Sequence, residues 1–148
     1  PSKQKKTNKL IKILKEKKKL KINSIHTWRN FAKKTKDHKK KLCKTISRYP
    51  KLIGYGASAR SSTLLNYCNI DDSNIQKIMD QNNLKHNLFT PGSKIKIIKT
   101  TPNIIKKLKS LIILSWNFYD EIYKYLKKNG FKGVIIKPLP EVKVVKIK

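Results

Sequence analysis

Residues Gly54–Ile70 read GYGASARSSTLLNYCNI, and the order of residue types in this stretch decides the fold. The apolar KLI just ahead of it predicts a strand running into a glycine turn, and ARSSTLLNYCNI predicts the helix that follows. Gly54-Tyr55-Gly56-Ala57-Ser58-Ala59 fits the pattern G-x-G-x-x-A at that junction. Glycine there lets the chain turn tightly and approach a ligand, while the helix start offers free N–H groups to an anion. Asp80 lies 21 residues beyond Ala59, at the expected end of the next strand, where an acid that holds a ribose would sit. Spacing alone therefore leaves a dinucleotide site open. Against it stand the polar, cationic helix start Arg60-Ser61-Ser62-Thr63 and the fact that Gly-x-Gly turns also close parallel sheets without any ligand.

Downstream, short apolar runs alternate with helical segments. Strands are predicted at 74–80 (NIQKIMD), 94–99 (KIKIIK), 110–117 (SLIILSWN), 132–138 (KGVIIKP) and 141–148 (EVKVVKIK). The run LIIL suits a strand buried on both faces. Helices are predicted at 102–109, opened by Thr101-Pro102, and at 118–128, closed by Asn129-Gly130. This alternation is the pattern of an α/β fold, a mostly parallel sheet of five or six strands with helices on both faces. Upstream, residues 8–20 and about 25–47 read as two basic helices. Leu10, Ile13 and Leu14 give the first a narrow apolar stripe, and Trp28, Phe31, Leu42 and Ile46 give the second a discontinuous one. Arg48-Tyr49-Pro50 ends the second helix. The expected division is a basic helical lead-in at 1–50 and an α/β domain at 51–148.

The 148 residues carry 37 Lys+Arg against 8 Asp+Glu, a net charge of +29. Such a balance ordinarily points to nucleic acid. Yet only Arg29, Arg48 and Arg60 are arginines, the residue that does most base-edge recognition. Lys, Ile and Asn together are also what an AT-rich coding bias produces, so a solvated lysine-rich surface is expected rather than a nucleic-acid partner. The charge is uneven, since residues 1–51 hold 20 of the cations against Glu16 and Asp37 alone. No apolar run approaches the about 18 residues of a membrane span. The N-terminus has neither an initiator Met nor an apolar signal core, and the chain reads as a fragment or excised domain of a cytoplasmic protein. Cys43 and Cys68 match no metal or disulfide spacing and are expected as reduced thiols. His26, His38 and His86 lie far apart, and only His86 falls in a plausible ligand loop. With no G-x-S-x-G, no His pair at metal spacing and no Walker loop, no metal site is expected.

Loops after the strands would meet on one edge of the sheet, where ligands of such folds bind. That edge collects Tyr55, Ser58 and Arg60, then Asp80, Gln81, Lys85 and His86, then Ser115, Trp116 and Asn117, and finally Pro138, Pro140 and Glu141. Cations, hydroxyls, an amide and an aromatic ring are groups suited to a sugar nucleotide. Taken singly, each has a plainer reading: Trp116 as core, Asn117 as a helix cap, Asp120-Glu121 as first-turn acids favoured by the helix dipole.

Four blocks in order, GYGASARSSTLLNYCNI, LKHNLFTPGSKIKI, LIILSWNFYDEI and IKPLPEVKVV, resemble the C-terminal domain of the sugar C-methyltransferase family. These S-adenosylmethionine-dependent enzymes methylate a carbon of nucleotide-linked deoxysugars. SIHTWRNFAKK is similar to the linker helices that lead into that domain, so the resemblance covers essentially the whole chain. It implies a Rossmann-like platform that helps hold a nucleotide-linked sugar. A cysteine-rich zinc domain and the catalytic domain that binds S-adenosylmethionine would lie elsewhere, upstream or in a separate subunit, and this chain itself would bind no cofactor. On this reading the helix start at Ala57–Ser62, with Tyr55 and Gly56 beside it, holds phosphate or ribose. Arg60 is its cation, Ser58 and Ser61 donate hydrogen bonds, Lys85 and His86 assist, and Asn117 and Glu141 line the sugar or base side. Departures from the family pattern are Arg60 in place of Lys, and Asn69 and Asn87 in place of Gly; Asn tolerates the left-handed conformation that Gly often serves. A free-standing NAD(P)-binding, nucleic-acid-binding or docking module remains the alternative.

Overall fold

The computed structural model describes residues 7–147. Residues 1–6, in the expected lead-in, and residue 148, at the end of the expected last strand, lie outside the described residues. Two compact units are present, Pro1–Asp37 and His38–Lys148.

The first unit contains helix α1 (Asn8–Lys19) and the start of helix α2 (Ile25–Ile46). Thr7 caps α1 by accepting a hydrogen bond from the Leu10 amide at 3.3 Å. None of α1 is buried, and Trp28 and Phe31 of α2 meet edge to face while both stay largely exposed.

The second unit is a six-stranded sheet, β1 (Ile53–Tyr55), β2 (Lys77–Asp80), β3 (Ile97–Lys99), β4 (Ser110–Ile113), β5 (Gly133–Lys137) and β6 (Lys143–Ile147). Their spatial order is β3-β2-β1-β4-β5-β6. The first five run parallel, and β6 closes the sheet antiparallel to β5 with Val144 opposite Ile136. The remaining helices are α3 (Ala59–Cys68), α4 (Pro102–Lys107) and α5 (Tyr119–Lys128).

Period-two alternation sorts the strand side chains into two cores. Ile78, Ile112, Leu114 and Ile136 pack with Leu64, Leu65 and Cys68 of α3 and with Leu42 and Ile46 from the end of α2. On the opposite face Ile53, Tyr55, Leu111, Ile113 and Ile135 pack with Ile105 of α4 and Ile122 and Leu126 of α5. Leu111–Leu114 are fully buried, as expected of a strand covered on both faces. Gly54 is small for the same reason: a Cβ there would press on Ile78 at 2.8 Å.

The expected strands at 74–80, 94–99 and 110–117 are shorter in the structure. Asn74 and Ile75 belong to a turn in which both amides donate to the Asp71 carbonyl. Lys94 takes a positive φ of 55°, and Lys96 forms an antiparallel bridge with Phe89, which diverts the chain before β3. Trp116–Phe118 is a 3-10 turn that leads directly into α5. Asn117 therefore caps nothing, and α5 begins without a side-chain cap.

The sequence blocks singled out above are tied together by side chains. Asn66, in the first block, donates to the Pro91 carbonyl of the TPGS turn at 3.0 Å. His38 Nε2 donates to the Pro138 carbonyl in IKPLPE at 2.6 Å. Among the described residues no helix is long and apolar enough to cross a membrane.

Candidate functional site

Strand order places β1 between β2 and β4, so the chain winds outward one way through β2 and β3 and the other way through β4, β5 and β6. In such sheets the crevice outside the strand ends at this reversal is where ligands bind. The Tyr55 carbonyl spans it, accepting the amides of Leu114 at 2.9 Å and Ser115 at 3.3 Å. Gly56 makes the turn with φ of 94°, and a Cβ there would collide with the Ser115 hydroxyl.

The glycine turn is braced from β2. The Ala57 amide donates to Asp80 Oδ2 at 2.7 Å, and the Asn82 amide donates to Asp80 Oδ1 at 2.8 Å. Lys85 Nζ donates to the Ala57 carbonyl at 2.8 Å and lies 3.5 Å from Asp80 Oδ2. His86 Nε2 is 2.9 Å from the Asp80 carbonyl, and since a carbonyl only accepts, that nitrogen carries the proton. Asp80 is nine-tenths buried, and its charge is balanced by these donors. This carboxylate is thus spent on the turn, and one of the amides that a pyrophosphate would need is taken by it.

The start of α3 is similarly organised. Ser58 Oγ accepts the Ser61 amide at 3.2 Å, and Ser61 Oγ accepts the Ser58 amide at 2.6 Å, a reciprocal capping box. Ser61 is fully buried and its hydroxyl proton goes to the Ser58 carbonyl. The amides of Ala59 and Arg60 have no acceptor among the described residues.

Two cavities open at the crevice. One, of about 340 Å³, is lined by Ser58, Ala59 and Arg60 from α3 and by Leu114, Ser115, Trp116, Asn117 and Phe118. The other, of about 330 Å³, is lined by Tyr55, Gly56, Asp80 and Gln81 on one side and by Ser115, Phe118, Glu121, Ile122 and Tyr125 on the other. Gln81 Nε2 donates to the Tyr55 hydroxyl at 2.9 Å. Burial raises the Tyr55 hydroxyl above its ordinary value, against the Gln81 hydrogen bond, so it stays protonated.

Of the expected site residues, Ser58, Arg60 and Asn117 meet at the first cavity, and Tyr55 and Gly56 at the second. Ala57, Ser61, Lys85 and His86 form the brace beneath them. Glu141 is exposed in the connection from β5 to β6 and lines neither cavity. Phe118, Glu121, Ile122 and Tyr125 were not expected as site residues. Their spacing of i, i+3, i+4, i+7 marks one face of α5 and its lead-in turn, and that was the available signal. Among the described residues no three His, Cys, Asp or Glu groups gather as metal ligands. Burial pushes the Cys68 thiol up to about 11, which keeps it protonated at neutral pH.

A doubly wound sheet with a braced glycine turn at its switch point defines a Rossmann-like α/β domain. The chain belongs to the C-methyltransferase C-terminal domain family, whose pattern it matches over residues 1–140. It is 32% identical over 97 residues to the C-methyltransferase NovU of Streptomyces niveus, an alignment that takes in 64% of this chain and 23% of that protein. The chain thus matches less than a quarter of that relative's length. The crystal structure of UDP-D-quinovosamine 4-dehydrogenase from Vibrio fischeri is similar with a TM-score of 0.44 and 20% identity, over 66% of this chain and 94% of that one.

Proposed function

We propose that this domain holds a nucleotide-linked deoxysugar for a C-methyltransferase, while the methyl donor, S-adenosylmethionine, and the catalytic groups belong to another domain or subunit. The observation that carries this reading is the cavity at the switch point, where the Arg60 side chain and the unengaged amides of Ala59 and Arg60 share one wall. Arg60 makes no ion pair among the described residues. A guanidinium beside free helix-start amides suits a diphosphate. The neighbouring Trp116 and Asn117 supply a ring and an amide for the rest of the ligand.

Ser58 shapes this site by capping α3, and Asp80, Lys85 and His86 hold the glycine turn rigid beneath it. On this reading the chain's own residues bind and orient the nucleotide-linked sugar. Titration of the full chain with a dTDP-sugar, followed by calorimetry, tests the reading. Saturable binding is expected, weakened about tenfold or more in Arg60→Ala, the loss that goes with one charge-assisted hydrogen bond. No saturable binding, or binding indifferent to Arg60→Ala, would falsify it.

A further inference from the structure

We infer that the two cavities divide the ligand between them: the sugar enters the one walled by Glu121 and Tyr125, and the phosphates and base occupy the one bearing Arg60. This rests on the nucleotide-sugar reading and adds to it the direction in which the ligand lies.

Charge is the first argument. The chain has 37 Lys+Arg, yet none lines the Glu121 cavity, whose charged residues are Asp80 and Glu121. Asp80 is already paired with Lys85, so a diphosphate placed there would face the uncompensated Glu121 carboxylate with no free cation on the lining, and would be repelled. The cavity across the shared wall carries Arg60 and no acid. The anionic part of the ligand therefore belongs on the Arg60 side.

Hydrogen-bonding capacity is the second. Glu121 has no hydrogen-bond or ion-pair partner among the described residues, and an ionised carboxylate only accepts. Gln81 uses its amide nitrogen on the Tyr55 hydroxyl, which leaves its amide oxygen as an acceptor at the rim. Acceptors on Glu121 and Gln81, with the hydroxyls of Tyr55, Ser115 and Tyr125 and the apolar surface of Phe118 and Ile122, match the hydroxyls and C–H face of a pyranose. Ser115 and Phe118 line both cavities, so one ligand can run from one to the other across them.

The test uses the full chain, labelled with 15N, and two probes that differ only by the sugar, dTDP and dTDP-glucose. In wild type, dTDP should shift the amides of Ala59, Arg60 and Asn117, and dTDP-glucose should shift those of Gln81, Glu121 and Tyr125 in addition. Glu121→Gln, at an exposed position, should weaken dTDP-glucose about tenfold while holding dTDP within about twofold. Arg60→Ala should weaken both probes by the same factor. The partition alone is overturned if dTDP binds but the glucose leaves the Glu121 side unshifted, or if Glu121→Gln weakens dTDP as much as dTDP-glucose. A wild-type spectrum unmoved by either probe overturns the nucleotide-sugar reading and the partition with it.

Discussion

Asp80 shows how one residue can carry the spacing of a ligand-binding acid and do something else. It stands where a ribose-binding carboxylate would stand, but both its oxygens receive backbone amides and its charge sits 3.5 Å from Lys85. Asp80→Asn tests that account. An amide has one oxygen where the carboxylate has two, so either Ala57 or Asn82 would face an N–H group instead of an acceptor, and Lys85 would lose its counter-charge. A loss of about 2–4 kcal/mol is expected, since a buried donor is left unsatisfied and a partly buried ion pair is broken. Urea unfolding monitored by circular dichroism measures it. A change below about 0.5 kcal/mol, as surface substitutions give, would mean that the brace is not holding the turn.

At the scale of the element, helix α3 owes its ends to residues that the family pattern had placed but not explained. Asn69 follows Cys68 with φ of 57° and ψ of 45°, and the Ile70 amide reaches back to the Leu65 carbonyl at 2.9 Å. Asn87 takes φ of 66°. Both stand where the pattern has glycine, and the left-handed backbone accounts for both. Asn69→Gly should leave stability within a few tenths of a kcal/mol, whereas Asn69→Ala should cost about 1 kcal/mol, because the left-handed conformation is less accessible to Ala than to Asn or Gly. Paired urea midpoints would show the two substitutions separating, and equal midpoints would contradict the cap. Strand and helix types were readable along the chain because apolar periodicity and turn residues agree with the final packing. Element ends were less so, since the positive φ of Lys94 and the bridge from Phe89 to Lys96 are tertiary and leave no local mark. Ser61 was misleading in a similar way: its S-x-x-S spacing from Ser58 lacks the Glu or Gln of the usual capping box. The second cavity was missed because Glu121 reads equally well as a dipole-favoured first-turn acid.

The whole molecule is dominated by its charge. With a net +29 and one ion pair among the described residues, Lys85 with Asp80, most of the lysines repel one another without compensation. Folding brings these charges closer together than they are in the expanded chain, so repulsion lowers stability in proportion to its range. Raising the salt from about 0.02 M to about 0.5 M shortens the Debye length from about 20 Å to about 4 Å and should therefore raise the melting temperature. Ligand binding should respond in the opposite sense. The Arg60 cavity attracts a diphosphate through the same field, so added salt should weaken dTDP while it strengthens the fold. Measuring the melting temperature and the dTDP affinity over one salt series separates the two effects. A melting temperature that falls with salt would mean that ion pairs outweigh repulsion. An affinity that does not fall would mean that the nucleotide is held without its phosphates.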